Sequence, residues 1–76
     1  MNRSETITLG DQQFVVVDES NCRGVWYSIE RDGTEIGRMC GNDVIGYRAR
    51  EHKFARYLKA QPTKAAAIAA LIKYRT

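Results

Sequence analysis

The sequence predicts an α+β fold: a small antiparallel β-sheet of four to six short strands packed by one C-terminal α-helix. Three observations lead there. Apolar and polar residues alternate over several short runs, as strands with one wet face require. Gly-Asp and Asp-Gly pairs separate these runs at hairpin spacing. An alanine-rich stretch then follows the sole proline with helical periodicity. Residues 1–76 are read as a single domain, because a chain this short buries only about 60% of the surface its unfolded form exposes and leaves no room for a second core.

Thr6 to Leu9 and Phe14 to Asp18 read as two strands joined by Gly10-Asp11-Gln12-Gln13. The consecutive β-branched residues Val15, Val16 and Val17 suit a strand covered on both faces, whereas Thr6-Ile7-Thr8-Leu9 suits one wet face. Ser20 to Gly24 is a polar loop. Val25 to Arg31 sets Val25, Tyr27 and Ile29 against Trp26, Ser28 and Glu30 at period two, with the first set facing the core. Trp26 is read as core first, and as a contact residue second.

Asp32-Gly33 is the strongest hairpin signal, since a tight turn wants positive φ at both central positions, and the return strand is Thr34 to Cys40. Gly33, Gly37 and Gly41 recur at every fourth residue, and the last two fall on one side of a strand. That strip is read as bulge or helix-packing glycine first, and as a flat docking strip second. Between Val44 and Ala60 both periods occur: Tyr47-Arg48-Ala49-Arg50 alternates like a strand, while Tyr47, Glu51, Phe54 and Leu58 share a helical face. Two short strands with a turn near Glu51-His52-Lys53 are preferred. Pro62 breaks what precedes it, Thr63 is the N-cap, and Lys64 to Arg75 is the helix. Ala65, Ile68, Leu71 and Ile72 form its apolar stripe, and Lys73 and Arg75 suit the negative end of its dipole.

Charge is segregated along the chain. Residues 1–43 hold four arginines against eight carboxylates, a net −4, and residues 44–76 hold eight cations against Glu51 alone, a net +7. Such asymmetry points to a polyanion, or an acidic protein surface, as partner of the C-terminal half. The stretch from Tyr47 to Lys59 interleaves cations with aromatics, so Arg48, Arg50, Lys53, Arg56 and Lys59 are the candidate nucleic-acid-binding residues. The competing reading is a solvated charged face over core aromatics.

Catalysis and cofactors have little support. The one histidine, His52, sits among cations that disfavour its protonated form, and nothing marks Cys40 as the activated thiolate of a Cys40–His52 dyad. Cys22 and Cys40 lack metal-ligand spacing, so neither a metal nor a cofactor is expected, and both are read as free thiols of a reducing compartment. No apolar run approaches the ~20 residues of a membrane span, nor does the start have a signal's apolar region, so a cytoplasmic protein is expected. Homodimer formation is one way for so small a domain to supplement its core.

Trp26-Tyr27-Ser28-Ile29-Glu30-Arg31-Asp32-Gly33-Thr34-Glu35-Ile36-Gly37, followed by Pro62-Thr63-Lys64-Ala65-Ala66-Ala67-Ile68, resembles the three-stranded-sheet-plus-helix modules of phage integrase arm-binding domains and AP2 domains. The shared features are an aromatic strand, a tight glycine turn, a glycine-bearing return strand and a Thr-led alanine helix. The resemblance implies a sheet face that enters the DNA major groove and roles for Arg31 and Arg38 there. It departs from that pattern at Glu30, Asp32 and Glu35 and by the long insertion over 42–60. The size and style are those of small phage or mobile-element proteins. The reading is therefore a non-catalytic binding module for nucleic acid, or one accessory to nucleic-acid processing. Its alternative is a protein-protein module, such as a phage-type inhibitor of a host nucleic-acid enzyme.

Overall fold

The computed structural model describes residues 3–22, 24–51 and 56–75. Five strands, β1 (Arg3–Leu9), β2 (Gln12–Asp18), β3 (Trp26–Arg31), β4 (Thr34–Asn42) and β5 (Gly46–Glu51), precede one helix, α1 (Lys64–Arg75). The sheet is an antiparallel meander in sequence order, β1-β2-β3-β4-β5. This is the predicted α+β architecture.

Local chemistry sets the turns. Asp32 (φ 53°) and Gly33 (φ 79°) both adopt the left-handed conformation that a two-residue I′ hairpin requires. The first hairpin is tighter than the sequence suggests: Leu9 pairs with Gln12, so Gly10-Asp11 alone turns the chain and Gln12-Gln13 belongs to β2. Between β4 and β5 the Asn42 side chain closes the loop, its Oδ1 accepting the amides of Val44 (2.8 Å) and Ile45 (3.0 Å). Thr63 caps the helix by accepting the Ala66 amide on Oγ1 at 3.0 Å.

Directly opposed residues share a face of the sheet. Val16 opposes Ile29, Ile29 opposes Gly37, Tyr27 opposes Met39, and Met39 opposes Ala49, and with Phe14 these make the helix side. A bulge in β4 lets Ile36 join them, since Ile29 pairs with Gly37 but Glu30 pairs with Glu35. Ala67, Ile68 and Leu71 of α1 complete this core. The helix stripe therefore includes Ala67, which the predicted stripe omitted, while Ala65 and Ile72 are only half-buried.

The glycine strip of β4 is a packing device and leaves no room for a docking partner. A Cβ on Gly37 would collide with the Arg50 carbonyl oxygen and lie 2.7 Å from Leu71 Cδ2, and one on Gly41 would collide with the Gly46 carbonyl oxygen. Two further expectations change. Val16 is buried, but Val15 and Val17 stand half-buried on the opposite, helix-free face, so β2 is not covered on both sides. Trp26 is on that face too, half-buried, because it has the parity of Ser28 and Glu30.

The open face of the sheet as candidate binding site

Two cross-strand rows build the site. Ser28 opposes Arg38, which opposes Arg50; Trp26 opposes Cys40, which opposes Arg48. Arginines from β4 and β5 thus gather on the helix-free face, although ten or more residues separate them in the chain. Along β5, Arg48 and Arg50 are about 7 Å apart, two residues of strand rise. The strand pattern over Tyr47–Arg50 forces this, since buried Tyr47 and Ala49 face the core and the arginines between and beyond them must face outward.

Two of the three guanidinium groups lie over aromatic rings. The Arg38 guanidinium lies 5.0 Å from the centroid of Trp26, and that of Arg50 lies 5.5 Å from Tyr57. Tyr57 reaches the face because the chain returns beside β5. The Leu58 amide donates to the Ala49 carbonyl at 2.7 Å, and Tyr47 and Gln61 exchange both backbone bonds at 2.7 and 2.8 Å. Chain over 58–61 therefore runs along the β5 edge, but it is not the second short strand that was expected: among the described residues beyond β5 only the isolated Tyr47–Gln61 bridge forms, and the turn expected at Glu51-His52-Lys53 falls largely outside those residues. Val25, Trp26, Arg38, Cys40, Arg50 and Tyr57 border a shallow hollow of about 380 Å³.

The face is electrically polarised. Glu30 and Glu35 oppose each other in the row beyond Ser28–Arg38–Arg50, and Glu35 Oε2 is 3.6 Å from Arg38 Nε. Arg38 is thus partly offset, and the positive end of the face is toward β5, where Arg48 is exposed.

Of the sequence-predicted site residues, Arg48 and Arg50 are brought together on this face. Arg56 and Lys59 are exposed on the returning segment, and Lys53 lies outside the described residues. Arg38, which the resemblance also implied, lies on this face, and Trp26 and Tyr57 join it. Arg31 does not: at the other end of β3 its Nη1 donates to Gln12 Oε1 at 3.3 Å. Nor does Lys64, although it counted in the C-terminal charge. Its Nζ donates to Glu5 Oε1 at 2.7 Å and sits 4.7 Å from the Tyr27 ring. That bond to Glu5 raises the Lys64 pKa against the opposing effect of burial.

Two neighbouring groups are also shifted. The Tyr47 hydroxyl donates to Asp43 Oδ1 at 2.7 Å, and this bond, reinforced by burial, pushes its pKa up. Hydrogen bonds from the Ser20 side chain and amide hold Asp18 below the usual carboxylate range. Both cysteines are free, Cys22 exposed and Cys40 on the floor of the open face. Among the described residues no group of His, Cys, Asp and Glu could hold a metal ion, and no helix is long and apolar enough to cross a membrane.

The nearest exposed apolar surface is at one end of this face: Val44 is 92% exposed, Ile45 69% and Val25 55%. No protein-family model, curated protein or solved structure matches the chain. What the site can do chemically follows from its geometry alone. It offers cations with aromatic rings beneath or beside them; the Cys40–His52 pairing considered above rests on His52, which lies outside the described residues.

Proposed function

We propose that the protein is a non-catalytic nucleic-acid-binding module that works through the open face of its sheet. One observation carries this reading: strand register brings Arg38, Arg48 and Arg50 together with Trp26 and Tyr57 on the face that α1 leaves uncovered. The guanidinium groups bind phosphates, and each phosphate neutralised releases counterions. Because Arg38 and Arg50 are already braced on rings, less freedom is lost when they engage. Arg56 and Lys59 extend the positive surface along the returning segment.

Binding of labelled oligonucleotides, followed by anisotropy as salt is raised, tests the proposal. Three phosphate contacts give a log–log salt slope of about −2 to −3. Changing Arg48 and Arg50 to alanine together should flatten it by about 1.5 and weaken binding at every salt concentration. Absence of binding to any oligonucleotide at low salt, or an unchanged slope in the double variant, would defeat the reading.

The exposure of Val44, Ile45 and Val25 favours a second reading, a protein-protein module such as an inhibitor of a nucleic-acid enzyme. Under it, a defined partner complex is lost when Val44 and Ile45 become serine and survives the Arg48 and Arg50 changes. The nucleic-acid reading requires the reverse.

A further inference from the structure

Resting on the assignment of the open face to nucleic acid, we infer that its substrate class is single-stranded, with an unpaired base seated in the hollow between Trp26 and Tyr57. The hollow has a ring on its border at two places, Trp26 from β3 and Tyr57 from the returning segment, and Tyr57 is 43% exposed. A duplex stacks its bases on one another and presents only their edges in the grooves, so it offers neither ring a partner. A single strand offers every base face, and stacking on aromatic side chains with flanking cations is how such strands are held without sequence readout.

The charges fit the same ligand. Arg48 and Arg50 follow each other along β5, so a backbone running beside that strand meets them in turn while its base turns inward to the hollow. The guanidinium groups of Arg38 and Arg50 lie over Trp26 and Tyr57, which places them across the sheet surface; groove reading needs arms that project from it. Width points the same way. The major groove, about 12 Å wide, admits a helix or a two-stranded ribbon. Here β4 is flanked by β3 and β5, and β5 by extended chain over 58–61, so the backbone spans about 14 Å before side chains are added. The carboxylates Glu30 and Glu35 close the far end of the face to phosphates and fix on which side the strand passes.

Trp26 is the only tryptophan, so its emission reports the hollow directly. The test titrates the protein with a short oligothymidylate and with a duplex of equal length at one salt concentration, reading Trp26 emission and the alkylation rate of Cys40 in a Cys22→Ser background. The single strand should bind at least tenfold more tightly, quench Trp26 and slow Cys40 alkylation. Tyr57→Ala, at an exposed position where folding is not at stake, should weaken single-strand binding about tenfold, within the range for one lost base stack, and leave duplex binding unchanged. Equal or tighter duplex binding, unquenched Trp26, or a Tyr57→Ala variant of full affinity overturns the single-strand inference while nucleic-acid binding itself still stands. Failure of every oligonucleotide at low salt overturns the assignment of the face to nucleic acid.

Discussion

Replacing Gly37 by alanine introduces a methyl group where β4, β5 and α1 converge. Its carbon would lie 2.7 Å from Leu71 Cδ2 and closer still to the Arg50 carbonyl oxygen. Apolar carbons rest about 3.5–4.0 Å apart, so roughly 1 Å must be opened on the helix side. The leucine tip can rotate away, but the carbonyl is backbone of the strand beside β4 and moves only if β5 moves. Overpacking costs about 1–3 kcal/mol, and a backbone source places this case in the upper half, about 2–3 kcal/mol. A domain of this size has about 4–11 kcal/mol in all, so the substitution removes a large share of it. The melting temperature should fall by about 8–24 °C, at ~4–8 °C per kcal/mol.

Thermal and urea unfolding, read by circular dichroism and by the fluorescence of Trp26, measure this directly. Gly24→Ala is the control, because a Cβ there meets nothing within 4 Å. It should stay within about 0.5 kcal/mol of the parent. Leu71→Ala empties core space and costs about 2–5 kcal/mol by itself, so relief of the Leu71 contact shows only as coupling in the double-mutant cycle, and that coupling should be smaller than the Gly37→Ala penalty because the Arg50 carbonyl remains in the way. If Gly37→Ala proves as stable as Gly24→Ala, the close packing of α1 and β5 against β4 described above is wrong.

Three other outcomes follow from the same structure. Thr63→Ala removes the acceptor of the Ala66 amide and should cost about 1 kcal/mol, seen as a lower urea midpoint with an unchanged slope, while Thr63→Ser keeps most of that stability. Lys64 and Tyr47 both hold their protons more tightly when folded, so their contribution is complete below about pH 10 and is lost as pH rises through the raised values; a Lys64→Met, Tyr47→Phe pair should flatten that alkaline decline, and an identical decline would remove these groups as its cause. Val44→Ser with Ile45→Ser should leave stability within about 0.5 kcal/mol, since both side chains are largely exposed; a larger loss in urea unfolding would mean that they support the β4–β5 turn.

Features set by a few adjacent residues were legible in the sequence. Asp32-Gly33 needed only its own backbone preferences to mark a turn, and Pro62-Thr63 with the alanines that follow marked the start of α1. Alternation over Val25–Arg31 was a partial guide: it set Trp26 on the face away from Tyr27 and Ile29, against the reading of Trp26 as core, but it also sent Val25 to the core, and Val25, just before β3, is 55% exposed. Arg48 and Arg50 were recognised because they alternate with Tyr47 and Ala49 on a single strand.

What was not legible depends on pairing between distant segments. Arg38 joins Arg50 only through the β4–β5 register, which follows from a three-residue loop closed by Asn42, while the bulge at Ile36 sets the β3–β4 register that puts Arg38 beside Ser28. Tyr57 meets Arg50 only because chain beyond β5 returns along its edge. Lys64 looked like one more cation of a basic half, yet Glu5, at the opposite end of the chain, takes its charge to the other side of the sheet. Net charge by segment carries no information of that kind.

Amide and indole NMR shifts of labelled protein, followed while oligothymidylate is added, examine the binding face most directly. Movement confined to Trp26, Ser28, Arg38, Cys40, Arg48, Arg50 and Tyr57, with the signals of 65–72 stationary, is the predicted result. Shifts centred on α1 or on the Glu5–Lys64 pair, with the arginine rows unmoved, would contradict it.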